Sequence, residues 1–345
     1  MPEKVGQLLW STEDHPETVP DRLEIREKYR KAAEVHRKVR EYARTKISPG
    51  VDLFEVAEDI EAFLRTACGN KGAESMTKSK MGQAFPLGLS VNHCAAHFSP
   101  LSNDTYVVTD KDIVKVDFGV HYDGYIIDSA FSMHWDPKLD VICQASKEAT
   151  DIGIKTAGVD VPLSELGKAI EEVITSFEYE GKPIQPVRNL CGHQVDRYCI
   201  HAGRSIPLHK GSKDHSRMKD GEVYACETFA STGKGEIHEE YPTSHFMLAP
   251  QAVKLPLAAI KGTAAAKTLF TTLKTSFSTL AWCPRWLDTM KIQNYGMSLG
   301  SLVKSGYVND YPKLNDKKGC YVSQFEHTFM VADWGKEVFS RGDDY

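Results

Sequence analysis

The chain has 345 residues, 41% of them hydrophobic and 26% charged, and a formal net charge of -5. That balance suits a globular protein with a substantial core and argues against extensive disorder and against nucleic-acid binding as a primary role. The opening Met1-Pro-Glu-Lys-Val has no apolar stretch after its charge, and no run approaches the ~18 apolar residues of a membrane span, so neither a secretory signal nor a membrane partner is expected.

Residues 1 to about 20 have the polar look of a short arm. From Asp21 a helical period sets Ile25, Tyr29, Ala32, Ala33, Val35 and Val39 against charges, until Ser48-Pro49-Gly50 stops it. The cations of this stretch, Arg26, Arg30, Lys31, Arg37, Lys38, Arg40 and Arg44, read as a solvated helix face. A second amphipathic helix carries Leu53, Val56, Ile60, Phe63, Leu64 and Ala67, with Gly69 at its end. Strands are expected from about 84 to 135, helices from about 139 to 178 and strands again from 222 to 249. Residues 252 to 309 have a different texture: Leu269, Phe270, Leu273, Phe277 and Leu280 form an amphipathic helix that Cys283-Pro284 breaks, which reads as a helical insertion. A last strand pair is expected near 318 to 340. Strands grouped in this way predict an α+β fold with mainly antiparallel pairing.

Aspartate is depleted in strands, yet Asp117 and Asp128 each sit inside an apolar run. Between the runs lies Asp123-Gly124, a strong hairpin signal. With those two residues as the loop, Tyr122 pairs with Tyr125, Asp117 faces Ala130 and Asp128 faces Gly119. The two carboxylates then project from one face as diagonal neighbours, beside the open space left by Gly119 and Ala130. Val114, Val116, Phe118, Val120, Ile127 and Phe131 collect on the other face as core. Paired acids on a covered face need positive charge between them, whereas on an open face they are simply a solvated hairpin.

More acids and histidines in apolar settings favour the first reading. Glu227 in "EVYACETFASTGKG" and Glu326 in "YVSQFEHTFMV" lie in apolar strands, and "NLCGHQVDRYCIHAG" adds His193 and His201. Four carboxylates and one imidazole make a hard, oxygen-rich set suited to Mn²⁺, Fe²⁺ or Co²⁺, and four negative charges balance two dications. Two such ions would polarise a carbonyl and activate water near neutral pH. The eight cysteines form no C-x-x-C pair and read as buried reduced thiols in a cytoplasmic protein.

The motifs "CAAHFSP", "KVDFG…DGYIIDSAFS", "NLCGH…IHAG", "YACETFASTGKG" and "QFEHT…SRGDDY" resemble, in order and spacing, type 2 methionine aminopeptidase of eukaryotes. The resemblance implies the pita-bread fold, a catalytic domain over 21–345 with the helical insertion at about 252–309, and removal of the initiator methionine from nascent polypeptides whose second residue is small. By position it makes Asp117, Asp128, His193, Glu227 and Glu326 ligands of two divalent ions, Mn, Co or Fe, with Zn as an alternative. It makes Glu227 the general base, places His97 at the scissile amide, and has His201 donate to the carbonyl or its oxyanion. It assigns the methionine pocket to Phe85, Leu190, Ile200, His245, Met247, Tyr311 and Leu314, with His97 and His201 beside it. Fumagillin-type epoxides are expected at His97. Weak ribosome association is a further implied partner, to which the basic helix from Arg26 would contribute.

Cys191 and Cys199 flank the site as inert wall residues or, alternatively, as oxidation-prone thiols, and Arg341-Gly342-Asp343 reads as structural and not as an adhesion motif. Two rivals share the fold. Metal-free relatives that act as growth-regulatory, RNA-associated or chromatin-chaperone proteins lack the ligands, which are intact here. X-Pro aminopeptidases and prolidases keep the ligand types but carry a whole creatinase-type domain first, where this chain has only about 80 residues before Phe85.

Overall fold

The computed structural model describes residues 8–10, 20–70 and 79–345, so the arm expected over 1–20 falls largely outside them. After the strand β1 (Leu8–Trp10) come the helices α1 (Pro20–Lys46) and α2 (Leu53–Ala67). Helix α1 buries Tyr29, Ala32, Ala33, Val35, Val39 and Ala43 along one stripe, as its period requires. Helix α2 starts where Asp52 accepts hydrogen bonds from the amides of Phe54 (2.9 Å) and Glu55 (3.2 Å), and it ends before Gly69, whose φ of +78° suits glycine.

The reading of the α1 cations as a solvated face needs correction. Arg26 and Arg30 both donate to the buried Glu337 at 2.7 Å, and Arg40, itself buried, donates to both oxygens of Asp344. Arg44 reaches Asp344 as well, at 3.2 Å. An arginine fork meeting a carboxylate gives charge-assisted bonds with fixed geometry, so these cations fasten the C-terminal segment to α1. Only Lys31 and Lys38 of the run are exposed, and Lys38 pairs with Glu34. The segment Arg341–Tyr345 is docked by the same contacts, with Arg341 on Asp151 at 2.6 Å.

Four strands follow: β2 (Met81–Val91), β3 (Cys94–Ala96), β4 (Ile113–Tyr122) and β5 (Tyr125–His134). Strands β2, β4 and β5 form one antiparallel sheet, covered by α1 and α2. Helices α3 (Asp140–Thr156) and α4 (Leu163–Thr175) lead into the short strands β6 (Glu178–Tyr179), β7 (Lys182–Pro183) and β8 (Gln185–Pro186). Next come β9 (Cys191–Val195), β10 (Ser205–Pro207), β11 (Val223–Ser231) and β12 (His238–Leu248). The helices α5 (Pro250–Val253), α6 (Ala264–Ser276), α7 (Pro284–Thr289) and α8 (Gly296–Lys304) precede β13 (Val308–Asn315), β14 (Val322–Ala332) and β15 (Gly335–Val338).

The largest sheet has the order β1-β15-β14-β11-β9-β10, with β8 also on β11, and α3 lies across β11 and β14. Each half therefore packs a helix pair on antiparallel strands, which is the pita-bread arrangement. Strands β12, β13 and β3 form a third sheet. The expected last strand pair is β14 and β15, whereas β1, β6 to β10 and β13 lie outside the expected strand regions. Helices α5 to α8 share an apolar cluster of their own, built on Phe270, Phe277, Trp282, Trp286 and Leu302. Among the described residues no helix is long and apolar enough to cross a membrane.

Candidate metal centre and pocket

The β4–β5 turn places Asp123 at φ 54° and Gly124 at φ 84°, the two positive values that a tight two-residue hairpin needs. Asp117 pairs with Ala130 and Asp128 with Gly119, the register that the hairpin argument requires. The expected open space over Gly119 is, however, filled: a Cβ there would stand 2.3 Å from the ring of Phe85. Missing bulk at one strand position thus seats an aromatic from the neighbouring strand against the carboxylate face.

Opposite this hairpin, Glu227 on β11 pairs directly with Glu326 on β14, and His193 on β9 pairs with Ala225. Gly192 lets β9 come that close, because a Cβ on it would lie 2.6 Å from the carbonyl oxygen of Ala225. Hydroxyls, not ladder bonds, join the two sheets. Thr328 Oγ1 donates to the Asp128 carbonyl (2.6 Å) and accepts from the Asp128 amide (2.8 Å). Ser129 Oγ donates to the Glu326 carbonyl at 2.7 Å, and Ser132 Oγ to that of Gln324 at 2.9 Å. Both acid-bearing strands are held at their backbones, leaving the carboxylates free to point into the gap.

There the side chains converge. His193 Nε2 is 3.4 Å from Asp128 Oδ2 and 3.6 Å from Glu227 Oε1, and one ligand atom each of Asp128, His193 and Glu326 lie within 4.8 Å of one another. Gln324 Nε2 bridges Asp117 Oδ2 (3.1 Å) and Glu227 Oε2 (3.3 Å). Asp117 Oδ1, Glu326 Oε2 and His193 Nδ1 are buried and find no hydrogen-bond partner among the described residues. Burial, and then the charge of Asp128, pushes the carboxyl groups of Asp117, Glu227 and Glu326 well above the usual carboxylate range. Converging acids with orphaned buried oxygens are an expensive arrangement unless a cation sits among them. Oxygen donors with one imidazole fit a hard or borderline divalent ion.

Beside the acids opens a cavity of about 720 Å³, its mouth included. Phe85, His97, Ile200, His201, His245, Met247 and Tyr311 line it together with all five of the expected ligands. Leu190 and Leu314 do not border this cavity; they line an adjoining cleft that shares His97 and Tyr311. His97 holds a left-handed backbone (φ 64°), strain of a kind that clusters at functional sites. Its carbonyl accepts from Ser244 Oγ (2.9 Å) and contacts His245 Nδ1 (3.1 Å), which over-determines that conformation. Burial lowers the His97 imidazole to about 4, so it is neutral at pH 7. The more exposed His201 stands edge-on to His193, ring centroids 4.5 Å apart.

Several residues in or behind the site carry no sequence signal that marks them as functional. Gln324 sits two residues before Glu326, so strand period alone puts it on the acid face. Pro86, Gly88 and Ala281 carry no chemical signal of their own. Cys191 and Cys199 are not among the residues lining either cavity, and Cys199 is exposed.

Metallopeptidase family M24 matches residues 27–247. Methionine aminopeptidase 2-1 of Emericella nidulans is 47% identical over 326 residues, which cover 92% of this chain and 72% of that protein. Among solved structures, a thermophilic Arx1 superposes with a TM-score of 0.76 at 16% identity, covering 92% of this chain and 90% of that one. A methionine aminopeptidase from Thermotoga maritima gives 0.60 at 18% identity, covering 94% of this chain and 98% of that one. At such identities the two structures bear on the fold alone.

Proposed function

Because the chain belongs to metallopeptidase family M24, among its type 2 methionine aminopeptidases, it removes initiator methionines in a metal-dependent reaction, and we propose how its residues divide that work. Asp117, Asp128, His193, Glu227 and Glu326 hold two divalent ions, Mn²⁺, Co²⁺ or Fe²⁺. The observation that carries this is the convergence of four carboxylates and one imidazole from five strand positions, with orphaned buried oxygens between them. When bound, the ions polarise the scissile carbonyl and make water nucleophilic near neutral pH.

The rest is done by the chain itself. Glu227 takes the proton of the attacking water and returns it to the leaving amine. Neutral His97 lies at the scissile amide, and His201, at the mouth of the cavity, donates to the developing oxyanion. Phe85, Ile200, His245, Met247 and Tyr311 surround the methionine side chain, for which apolar and aromatic walls suit an unbranched thioether. Leu190 and Leu314, in the adjoining cleft, meet the residues that follow the methionine. Neutral His97, open to the cavity, is also the nucleophile that fumagillin-type epoxides would alkylate. The pita-bread catalytic domain spans 21–345, with a helical insertion at about 252–309 whose Ala281 reaches the cavity. Ribosome contact through α1 has little free charge to draw on, since Arg26, Arg30, Arg40 and Arg44 bind Glu337 and Asp344.

The ligand assignment is tested by calorimetric titration of Mn²⁺ into the metal-free protein. Wild type takes up two equivalents, while Asp128→Ala and Glu326→Ala, with circular dichroism unchanged, take up fewer or none. Uptake by these variants equal to wild type refutes the assignment.

A further inference from the structure

We infer that Glu61 and Arg285 are positioning residues that set the shape of the methionine pocket and the placement of His97, making the helical insertion a working part of the substrate site. The inference rests on the pocket assignment above and extends it to two buried charges outside the cavity lining.

Strand β2 departs from its ladder with β4 twice, between Gln83 and Phe85 and between Phe85 and Gly88. This double irregularity turns Phe85, Pro86 and Gly88 into the cavity wall. It also removes the ladder partners of the intervening residues. Glu61, fully buried on α2, replaces them: its Oε1 accepts from the Leu87 amide (2.9 Å) and from Gln83 Nε2 (3.0 Å). Gln83 Nε2 in turn holds the Phe85 carbonyl at 3.1 Å. One carboxylate oxygen therefore stands in for the missing strand on both sides of Phe85.

The other oxygen faces the insertion. Glu61 Oε2 accepts from Arg285 Nη1 (3.0 Å) and Trp286 Nε1 (2.7 Å), both on α7. Arg285, 2% exposed, spreads its remaining donors over the segment after His97. Its Nη2 donates to Ser99 Oγ (3.0 Å) and its Nε to the Pro100 carbonyl (3.3 Å). The Ser99 amide then donates to Ser244 Oγ (3.0 Å), the same hydroxyl that holds the His97 carbonyl. A continuous run of bonds thus joins the Phe85 bulge, the insertion and His97. Glu58 and Arg65 complete the charge surroundings, at 3.3 Å from Arg285 and 3.6 Å from Glu61.

Stability alone does not account for such a pair. Desolvating two charges cancels most of their attraction, and packed apolar residues of similar size often stabilise as well or better. What an apolar pair lacks is direction: it cannot hold the Leu87 amide, the Trp286 indole and the Ser99 hydroxyl at fixed angles. Small shifts in such elements cost up to about 100-fold in rate or binding.

The test compares Glu61→Gln, Arg285→Lys, Glu61→Met and the double variant Glu61→Met/Arg285→Met with wild type. The measurements are kcat and KM on Met-Ala-Ser, the preference for Met over Leu or norleucine as first residue, Tm, and Mn²⁺ affinity by calorimetry. Positioning predicts KM raised and kcat lowered, each by about tenfold, weakened selectivity, and Mn²⁺ affinity within about twofold of wild type, because no ligand strand is touched. It also predicts that the double variant regains Tm relative to Glu61→Met alone without regaining KM. A KM and selectivity that stay at wild-type values, or that recover in step with Tm, overturn the inference. Loss of Mn²⁺ affinity in proportion to KM does the same, since it would mean general disruption. Failure of wild type itself to cleave Met-Ala-Ser would instead strike the pocket assignment on which the inference rests.

Discussion

Glu227 and Glu326 face each other across the β11–β14 ladder as one register pair. Like charges directly opposite on a sheet repel, and here burial adds to the penalty, so the pairing works against the fold unless a cation or protons intervene. Evolution of a strand pair toward stability alone would not leave the two acids there.

The sign of the resulting pH dependence follows. Glu326 has its carboxyl raised by burial and by Asp128, Glu227 and Asp117. A folded-state acid raised above its unfolded value binds protons more tightly when folded. Its contribution is complete below the usual carboxylate range and is lost as pH rises through the raised value. In metal-free protein, Glu326→Gln is therefore expected to match wild type in Tm at pH 4 and to exceed it by roughly 2–4 °C at pH 8. Excess Mn²⁺ should reverse the order by stabilising wild type alone. Calorimetry at both pH values checks this, and a variant less stable than metal-free wild type at pH 8 would count against the repulsion.

Gln324 ties Asp117 to Glu227 through a single amide nitrogen. Losing a group that orients ligands typically weakens metal binding by about 10- to 100-fold. Gln324→Ala should lower Mn²⁺ affinity by that factor with the fold intact, and Gln324→Glu should destabilise the metal-free protein further. Titration calorimetry and thermal melts read the two effects separately.

His97→Ala should lower kcat far more than it raises KM, because an interaction made mainly in the transition state lowers kcat and kcat/KM together. A fumagillin-type epoxide should alkylate His97 in wild type. Peptide mapping by mass spectrometry locates the adduct; a label on His201 or on a cysteine would reverse the roles given to the histidines.

How much of this was legible in the sequence depended on how local the cause was. Asp117 and Asp128 were placed on one face by a two-residue turn and strand period, and the register follows that rule residue by residue. Helix α2 was readable from its stripe of apolar residues and the glycine that ends it. Glu227, Glu326 and His193 were visible as odd residues in apolar settings, but nothing local says that β9, β11 and β14 lie side by side. That pairing sets Glu227 against Glu326, 99 positions on, and His193 against Ala225, 32 positions on, and only the family resemblance connected them. Strand β9 itself was missed because its five residues, Cys191–Val195, are too short for a period to show. The basic run of α1 misled for the same reason. Its partners Glu337 and Asp344 lie some 300 residues away, so its charges looked solvated when they are docked.

The most direct measurement is hydrolysis of Met-Ala-Ser beside a peptide with proline first, before and after exhaustive chelation and after adding back Mn²⁺ or Co²⁺. The account predicts cleavage after methionine only, loss of turnover on chelation, and recovery with either ion. Cleavage that survives chelation, or a preference for the proline-first peptide, would contradict it.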